Sequence, residues 1–524
     1  MTVYKYLIIG NGVAGIYCAL NIRMRDREGE ITIITNEDYP FYSRPLITDV
    51  MTGKKRAGDI VLLPENGYKR YGFTLMKGVQ VKKMVFKEHC VTTTAGEQGF
   101  DRLVVATGAV PKRVPFGGEG IFSVRTLEDA ERIRAYLPKV KKAIVFGGGP
   151  IGIKTAYALL TAGIPVNIII SSSHMLSQVL DERSSQYLQA LFERNGARFW
   201  FNSDIKEIVR RKKGLKGIVT DKGETVAGDM LIVGKGVSPN LDIVRDAGIH
   251  IDKGILVDDY METNCEGVYA AGDVAQAKVI TSSRQQSADN LSPCSHCEPA
   301  GRGNPSRSPR RFAPRDDNKG GTPRPSPLKP NGSSGGRDVL SLWPVGAEQG
   351  KIAGQNMTGE KRVYGGGVGS NSIEYFGLKA ISMGITRGDG CEAILFEQNG
   401  IYRRYLFNGE RLVGAVLLGD ISDAGVLLHA IKQALPVKGF LLSADRRQRS
   451  EVRGQRSASN TDYRLSIIDH RTLAPRASYL DSPFSALSSQ LPGSSPHASR
   501  LTPHGESNSP LSAPSPKLSL EVLF

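Results

Sequence analysis

The sequence predicts an α/β fold: two doubly wound domains on parallel sheets, with a small α+β domain behind them. Three observations predict it. The apolar run Tyr6-Leu-Ile-Ile ends in Gly10-x-Gly12-x-x-Gly15 and continues as a helical pattern from Ile16 to Arg23. The form recurs at Ala143-Ile-Val-Phe-Gly147-Gly-Gly149-Pro-Ile-Gly152, with a helical pattern running to Leu160. Beyond residue 366, β-rich runs are joined by Asn399-Gly400 and Asn408-Gly409, the strongest short hairpin signal.

Strand, glycine turn and helix in that order are the context that makes a glycine pattern a dinucleotide-binding, Rossmann-like motif. Gly10 permits the tight turn, Gly12 lets the backbone approach a pyrophosphate, and Gly15 lets helix and strand pack closely, with Ala14 in the same turn. The helix N-terminus points unpaired N–H groups at the phosphates. Gly147, Gly149 and Gly152 repeat these roles. Two such sites suggest two nucleotides, one donating to the other.

In chain order, Ile31-Thr-Ile-Ile-Thr35 reads as a second strand, and Glu37 near its end is the candidate acid for adenosine ribose hydroxyls. Tyr39-Pro-Phe-Tyr-Ser-Arg44-Pro-Leu46 follows. From this stretch the chain resembles the two-dinucleotide flavoprotein reductases. Within these it is most similar to NADH–rubredoxin reductases, ferredoxin reductases of oxygenase systems and the flavin-binding part of NAD(P)H-nitrite reductases. The resemblance covers 1–280 and 337–440. It implies a discontinuous FAD-binding domain, 1–113 and 246–357, interrupted by an NAD(P)-binding domain at 114–245. A C-terminal rubredoxin-reductase-like domain is expected at 366–440.

By resemblance, Arg44 approaches the isoalloxazine or the pyrophosphate, where a cation stabilises charge on reduced flavin. Disulfide reductases of the wider family carry cysteines here. This chain has Ser43 and no cysteine between Cys18 and Cys90, so a thiol relay is not expected. Leu103-Val-Val-Ala106-Thr107-Gly108 matches the family turn where the chain leaves the flavin domain. Thr126-Leu-Glu-Asp-Ala starts a capped helix. Many relatives have Glu where this chain has Lys154; facing the flavin, Lys154 would favour its reduced, anionic form. After Val166-Asn-Ile-Ile-Ile170, an acid would select NADH and an arginine NADPH. Ser171-Ser-Ser-His174 offers neither, and the family leans to NADH.

Gly234-Lys-Gly-Val-Ser-Pro-Asn240 resembles the family's return crossing. Thr263 to Gly272-Asp273 resembles the second half of the flavin site, with Asp273 accepting from ribityl hydroxyls. The resemblance breaks over 280–336, a Ser/Pro/Arg/Gly-rich insert expected to be disordered. It resumes at Val339-Leu-Ser-Leu-Trp343, where a helix aims its N-terminus at the flavin. Ala393–Phe396, Ile401–Phe407 and Leu412–Leu418 read as strands, and Asp423 to Leu435 as a helix. The 441–524 tail is again Ser/Pro/Arg-rich and expected to be disordered.

Ten of the sixteen net positive charges fall in 278–337 and 441–524, so the body is not read as a nucleic-acid binder. No run approaches about 18 apolar residues, so no membrane helix is expected. With no charged-then-apolar leader before Gly10, the expected location is the cytoplasm and the mature start is near Met1. Cys294-Ser-His-Cys297 lacks a second half for a metal site, and no metal is expected. Taken together, the expectation is an FAD-dependent oxidoreductase. It takes hydride from NAD(P)H onto flavin N5 and passes electrons to a small redox protein: rubredoxin, ferredoxin or a nitrite-reducing module. Two other readings stay open: an NAD(P)H oxidase acting on oxygen, and a non-catalytic flavin-binding interaction protein or defective chain. A homodimer is compatible with the resemblance.

Overall fold

The structure, a computed structural model, describes residues 3–280 and 336–443 apart from positions 213, 388, 389, 399 and 442. The chain divides into two units, Met1–Lys438 and Gly439–Phe524, and the first carries the fold below. The interior of the predicted insert, with its Cys294–Cys297 cluster, and the tail beyond 443 lie outside the described residues.

Two five-stranded parallel sheets dominate. The first has the order Val268–Ala270, Arg102–Val105, Lys5–Ile9, Glu30–Ile34, Phe73–Met76. The second has the order Ile121–Ser123, Met230–Val233, Ala143–Phe146, Val166–Ile169, Ala197–Trp200. The strands Lys5–Ile9, Arg102–Val105 and Ala143–Phe146 are apolar beyond the first residue. Leu103, Val104 and Val105 are buried, as are Ile144, Val145 and Phe146, the burial expected of parallel strands covered on both faces. Val268 pairs with Leu103, so the first sheet closes only after the whole second sheet has been laid down. The outgoing strand Ala109–Pro111 and the returning strand Val237–Pro239 pair antiparallel. Thr126 caps Leu127–Tyr136: its hydroxyl accepts from the Asp129 N–H at 3.1 Å, and the Asp129 carboxylate accepts from the Thr126 N–H at 3.0 Å.

The C-terminal part is an antiparallel sheet in the order Ser370–Tyr375, Leu378–Gly384, Arg411–Leu418, Ile401–Asn408, Glu392–Gln398, followed by the helix Ala424–Lys432. Asn408 pairs with Arg411, so the loop is Gly409-Glu410, one position later than the Asn-Gly dipeptide suggests. Gly409 takes the positive φ of +59° that such a turn needs. The first two strands were not read from the sequence. Their turn is Phe376-Gly377, with φ of +51° and +81°, and Phe is a poor signal for a left-handed position.

The two ends of the 281–335 segment are neighbours. Ala277 pairs with Asp338 and Lys278 with Arg337, and the Val279 N–H donates to the Gly336 carbonyl at 2.8 Å. Replacing 281–335 by a Gly/Asn turn of about four residues should therefore keep the fold. Shortening a loop more than tenfold contributes about 2 kcal/mol of stability through closure entropy. Thermal melting tests this: a lower midpoint would mean that the segment stabilises the body.

Candidate functional site

The two glycine turns have the same construction. Gly10 has φ +121° and Gly147 φ +132°; a Cβ on either would lie 2.0 Å from the Ala106 carbonyl oxygen or 2.2 Å from that of Gly234. A Cβ on Gly15 or Gly152 would lie 2.0 Å from the carbonyl oxygen of Gly10 or Gly147. Gly12 and Gly149 differ from all four: a Cβ there would meet no atom within 4 Å. Each is the N-cap of a helix, Val13–Arg23 or Pro150–Thr161, with no side-chain cap. Clear space over uncapped helix N–H groups fits a diphosphate.

Ala14 points elsewhere. Its carbonyl oxygen is 2.1 Å from where a Gly350 Cβ would be, and its own Cβ is 3.0 Å from the Gly272 position. Gly350 belongs to the helix Trp343–Met357, which meets the Val13–Arg23 helix through Gly346, Gly350 and Gly354. Spacing of four puts these glycines on one face. The Gln349 side chain accepts from the Gly272 N–H at 2.8 Å, and the Trp343 ring stacks on Phe41 at 5.7 Å.

Beside the first turn lies a half-buried polar cluster. Arg44 pairs with Glu37, and its guanidinium also donates to the Tyr42 hydroxyl at 3.1 Å and the Arg125 carbonyl at 3.0 Å. The Tyr42 hydroxyl donates to the other Glu37 oxygen at 2.6 Å, and burial pushes its pKa above the ordinary range. Arg125 pairs with Asp273 at 3.0 Å. Two residues expected on different parts of a ligand, Glu37 and Arg44, are thus brought onto each other. Arg125 was not singled out in the sequence, where it precedes the Thr126 cap with no motif of its own. A Cβ on Gly108 would lie 3.4 Å from its guanidinium. The Thr107 hydroxyl donates to the Asn240 carbonyl at 2.9 Å, tying the outgoing crossing to the returning one.

At the second turn, the fold adds charges that the sequence did not place there. The stretch 170–174 carries neither acid nor cation, but the fold brings both there. The Lys235 ammonium donates to the Ser171 hydroxyl at 2.6 Å and pairs with Asp204 at 3.3 Å, above the Phe146 ring at 4.2 Å. The cause is sheet order: Met230–Val233 lies beside Ala143–Phe146, so its outgoing loop reaches across.

Lys154 is largely buried on the Pro150–Thr161 helix. Burial pulls its pKa below the ordinary lysine value, partly offset by Asp49 from the helix Ile47–Met51. Lys154→Met should therefore stabilise the protein by about 1 kcal/mol at neutral pH. The penalty on the charged form is fully present below the folded-state pKa, fades as pH rises through it, and is gone above 10.5. Melting midpoints of the two proteins should converge there; a constant gap would exclude burial of charge as the cause.

Residues 4–290, more than half the chain, match the pyridine nucleotide-disulphide oxidoreductases, and the chain belongs to that family. Residues 370–435 match the rubredoxin NAD+ reductase C-terminal domain. The chain is similar to a nitrite reductase [NAD(P)H] of Bacillus subtilis, at 27% identity over 438 residues, covering 82% of this chain and 47% of that one. It thus spans about half the length of that relative. It is also similar to the ferredoxin–NAD(+) reductase component of a Pseudomonas putida p-cumate 2,3-dioxygenase system, at 32% identity over 275 residues, covering 52% of this chain and 67% of that one. Among solved structures, the covalent putidaredoxin reductase–putidaredoxin complex shares the fold, with TM-score 0.68 and 20% identity, covering 84% of this chain and 95% of that one. No helix among the described residues is long and apolar enough to cross a membrane.

Proposed function

We propose that this chain is an FAD-dependent NAD(P)H oxidoreductase that passes electrons to a small redox partner: a rubredoxin, a ferredoxin or a nitrite-reducing module. The observation that carries it is the pair of clear, uncapped glycine turns on two equivalent parallel sheets in one chain of this family. The first, with the domain segments 1–113 and 246–357, takes FAD; the second, within 114–245, takes NAD(P)H. A bound flavin supplies hydride acceptance at N5 and electron release in one or two steps.

The chain's own residues bind and orient. The helix N-termini behind Gly12 and Gly149 neutralise diphosphates, and Asp273 receives ribityl hydroxyls. Arg44, Lys154 and the start of the Trp343 helix hold positive potential where negative charge accumulates on reduction. The proposal includes no thiol relay: Cys18 is fully buried and burial pushes its pKa up, while Ser43 stands where the resemblance places the cysteines of the wider family's disulfide reductases.

NADH is the proposed donor from the family, with NADPH accepted through Lys235. Lys235→Ala should lower kcat/KM for NADPH about tenfold more than for NADH, a difference of about 1.4 kcal/mol. Equal loss for both would remove Lys235 from the 2′-phosphate.

The visible spectrum before and after anaerobic NADH and NADPH tests the whole reading. Flavin bands that bleach at once support it. A protein that stays colourless with added FAD overturns it.

A further inference from the structure

We infer that the C-terminal sheet positions the second dinucleotide site, with Arg387 and Tyr402 as its positioning residues. This rests on the reading that the second glycine turn binds NAD(P)H.

The segment 170–181 runs from the strand Val166–Ile169 to the helix Glu182–Arg194 and carries Ser171, at the ribose end. Midway, Leu176 takes φ +55°, a left-handed conformation that a branched apolar residue keeps only when its surroundings impose it. Its N–H donates to the carbonyl of Gly148, inside the second glycine turn, at 2.7 Å. The shape of this segment and the shape of the turn are therefore linked.

The other side of the segment is held from the C-terminal sheet. Arg387 donates to the Ser177 carbonyl at 2.9 and 3.2 Å, and the Thr386 hydroxyl to the Gln178 carbonyl at 3.3 Å. The Tyr402 hydroxyl, on a buried ring, donates to Asp181 at 2.8 Å. The same Asp181 carboxylate caps the Glu182–Arg194 helix through the Ser184 N–H at 3.1 Å.

The sheet also reaches the glycine-turn helix itself. The Tyr375 and Phe376 rings lie 5.0 and 4.9 Å from Tyr157 on Pro150–Thr161, and 5.4 and 5.2 Å from Phe192 on Glu182–Arg194. Burying that ring offsets the left-handed backbone of Phe376. Helix, segment and glycine turn are clamped by one sheet that none of the sequence motifs connects to nucleotide binding.

The test uses Arg387→Ala, an exposed position, and Tyr402→Phe, which removes one hydroxyl. Arg387→Lys is the conservative control. Stopped-flow flavin reduction against NADH concentration gives a dissociation constant and a limiting rate, and hydrogen exchange follows peptides from 171–181. The expected result is a dissociation constant raised about fivefold or more, with flavin content unchanged and the limiting rate within about twofold. Exchange at Leu176 should be faster, and Arg387→Lys should recover part of the affinity. Variants with wild-type affinity, or slow exchange retained at Leu176, would overturn the proposal alone. A wild-type flavin that neither nucleotide reduces would overturn the underlying reading and this proposal with it.

Discussion

Gly12→Val is expected to give a folded protein that has lost its flavin. The backbone at Gly12 is extended, φ −89° and ψ −173°, which suits a β-branched residue. A Cβ there meets no atom within 4 Å, so the substitution should cost the cofactor-free chain no more than the roughly 1 kcal/mol of a poorer N-cap residue. The isopropyl group would instead fill the space over the helix N–H groups that a diphosphate must enter. FAD affinity should fall at least about 100-fold, or about 2.7 kcal/mol. Gly149→Val is the matched control, with φ −81° and ψ 179° and the same open space. It should keep its flavin and lose reduction by NAD(P)H. Flavin absorbance and anaerobic titration separate the two, and the pair assigns each turn to one cofactor. Gly12→Val protein with full flavin occupancy would remove FAD from the first turn. Gly10→Ala is a different experiment: φ +121° and a 2.0 Å approach to the Ala106 carbonyl oxygen make it a folding defect.

The second large effect is expected at a helix crossing. Gly350→Val should destabilise the protein by about 3 kcal/mol or more. A Cβ at 350 would lie 2.1 Å from the Ala14 carbonyl oxygen, and one at 354 would lie 2.4 Å from that of Cys18. Both obstacles are backbone, which cannot rotate aside. The helices cannot separate freely either, because Gln349 holds the Gly272 N–H and Met357 touches Cys18 at 3.5 Å. For a body of this size the melting midpoint should fall by roughly 4 °C or more. Flavin should be lost with it, since the same crossing positions Gly272, Asp273 and Ala14 beside the first turn. An unchanged midpoint would refute backbone contact between these helices.

The two glycine turns, the Thr126 cap and the hairpin near Asn408 were legible in the chain because each depends on residues a few positions apart. A glycine turn is built from sterics between Gly10 and Gly15, or Gly147 and Gly152, and those sterics are written in the order of residues. The helix with glycines at 346, 350 and 354 was legible as a helix, but not as the partner of Val13–Arg23. The Arg125–Asp273 pair spans 148 positions and Arg44 meets a carbonyl 81 positions away, so neither leaves a local pattern. Lys235 reaches Ser171 and Asp204 only because the strand order places Met230–Val233 beside Ala143–Phe146. The Phe376 turn hides for another reason: its left-handed backbone is held by ring burial against Tyr157 and Phe192, not by turn residues. Sequence alone determined the class of fold and where two strand–glycine–helix turns lie, because backbone sterics act over a few residues. Tertiary structure decided which charges surround those turns and what holds them in shape, because strand order and burial act between residues the chain keeps far apart.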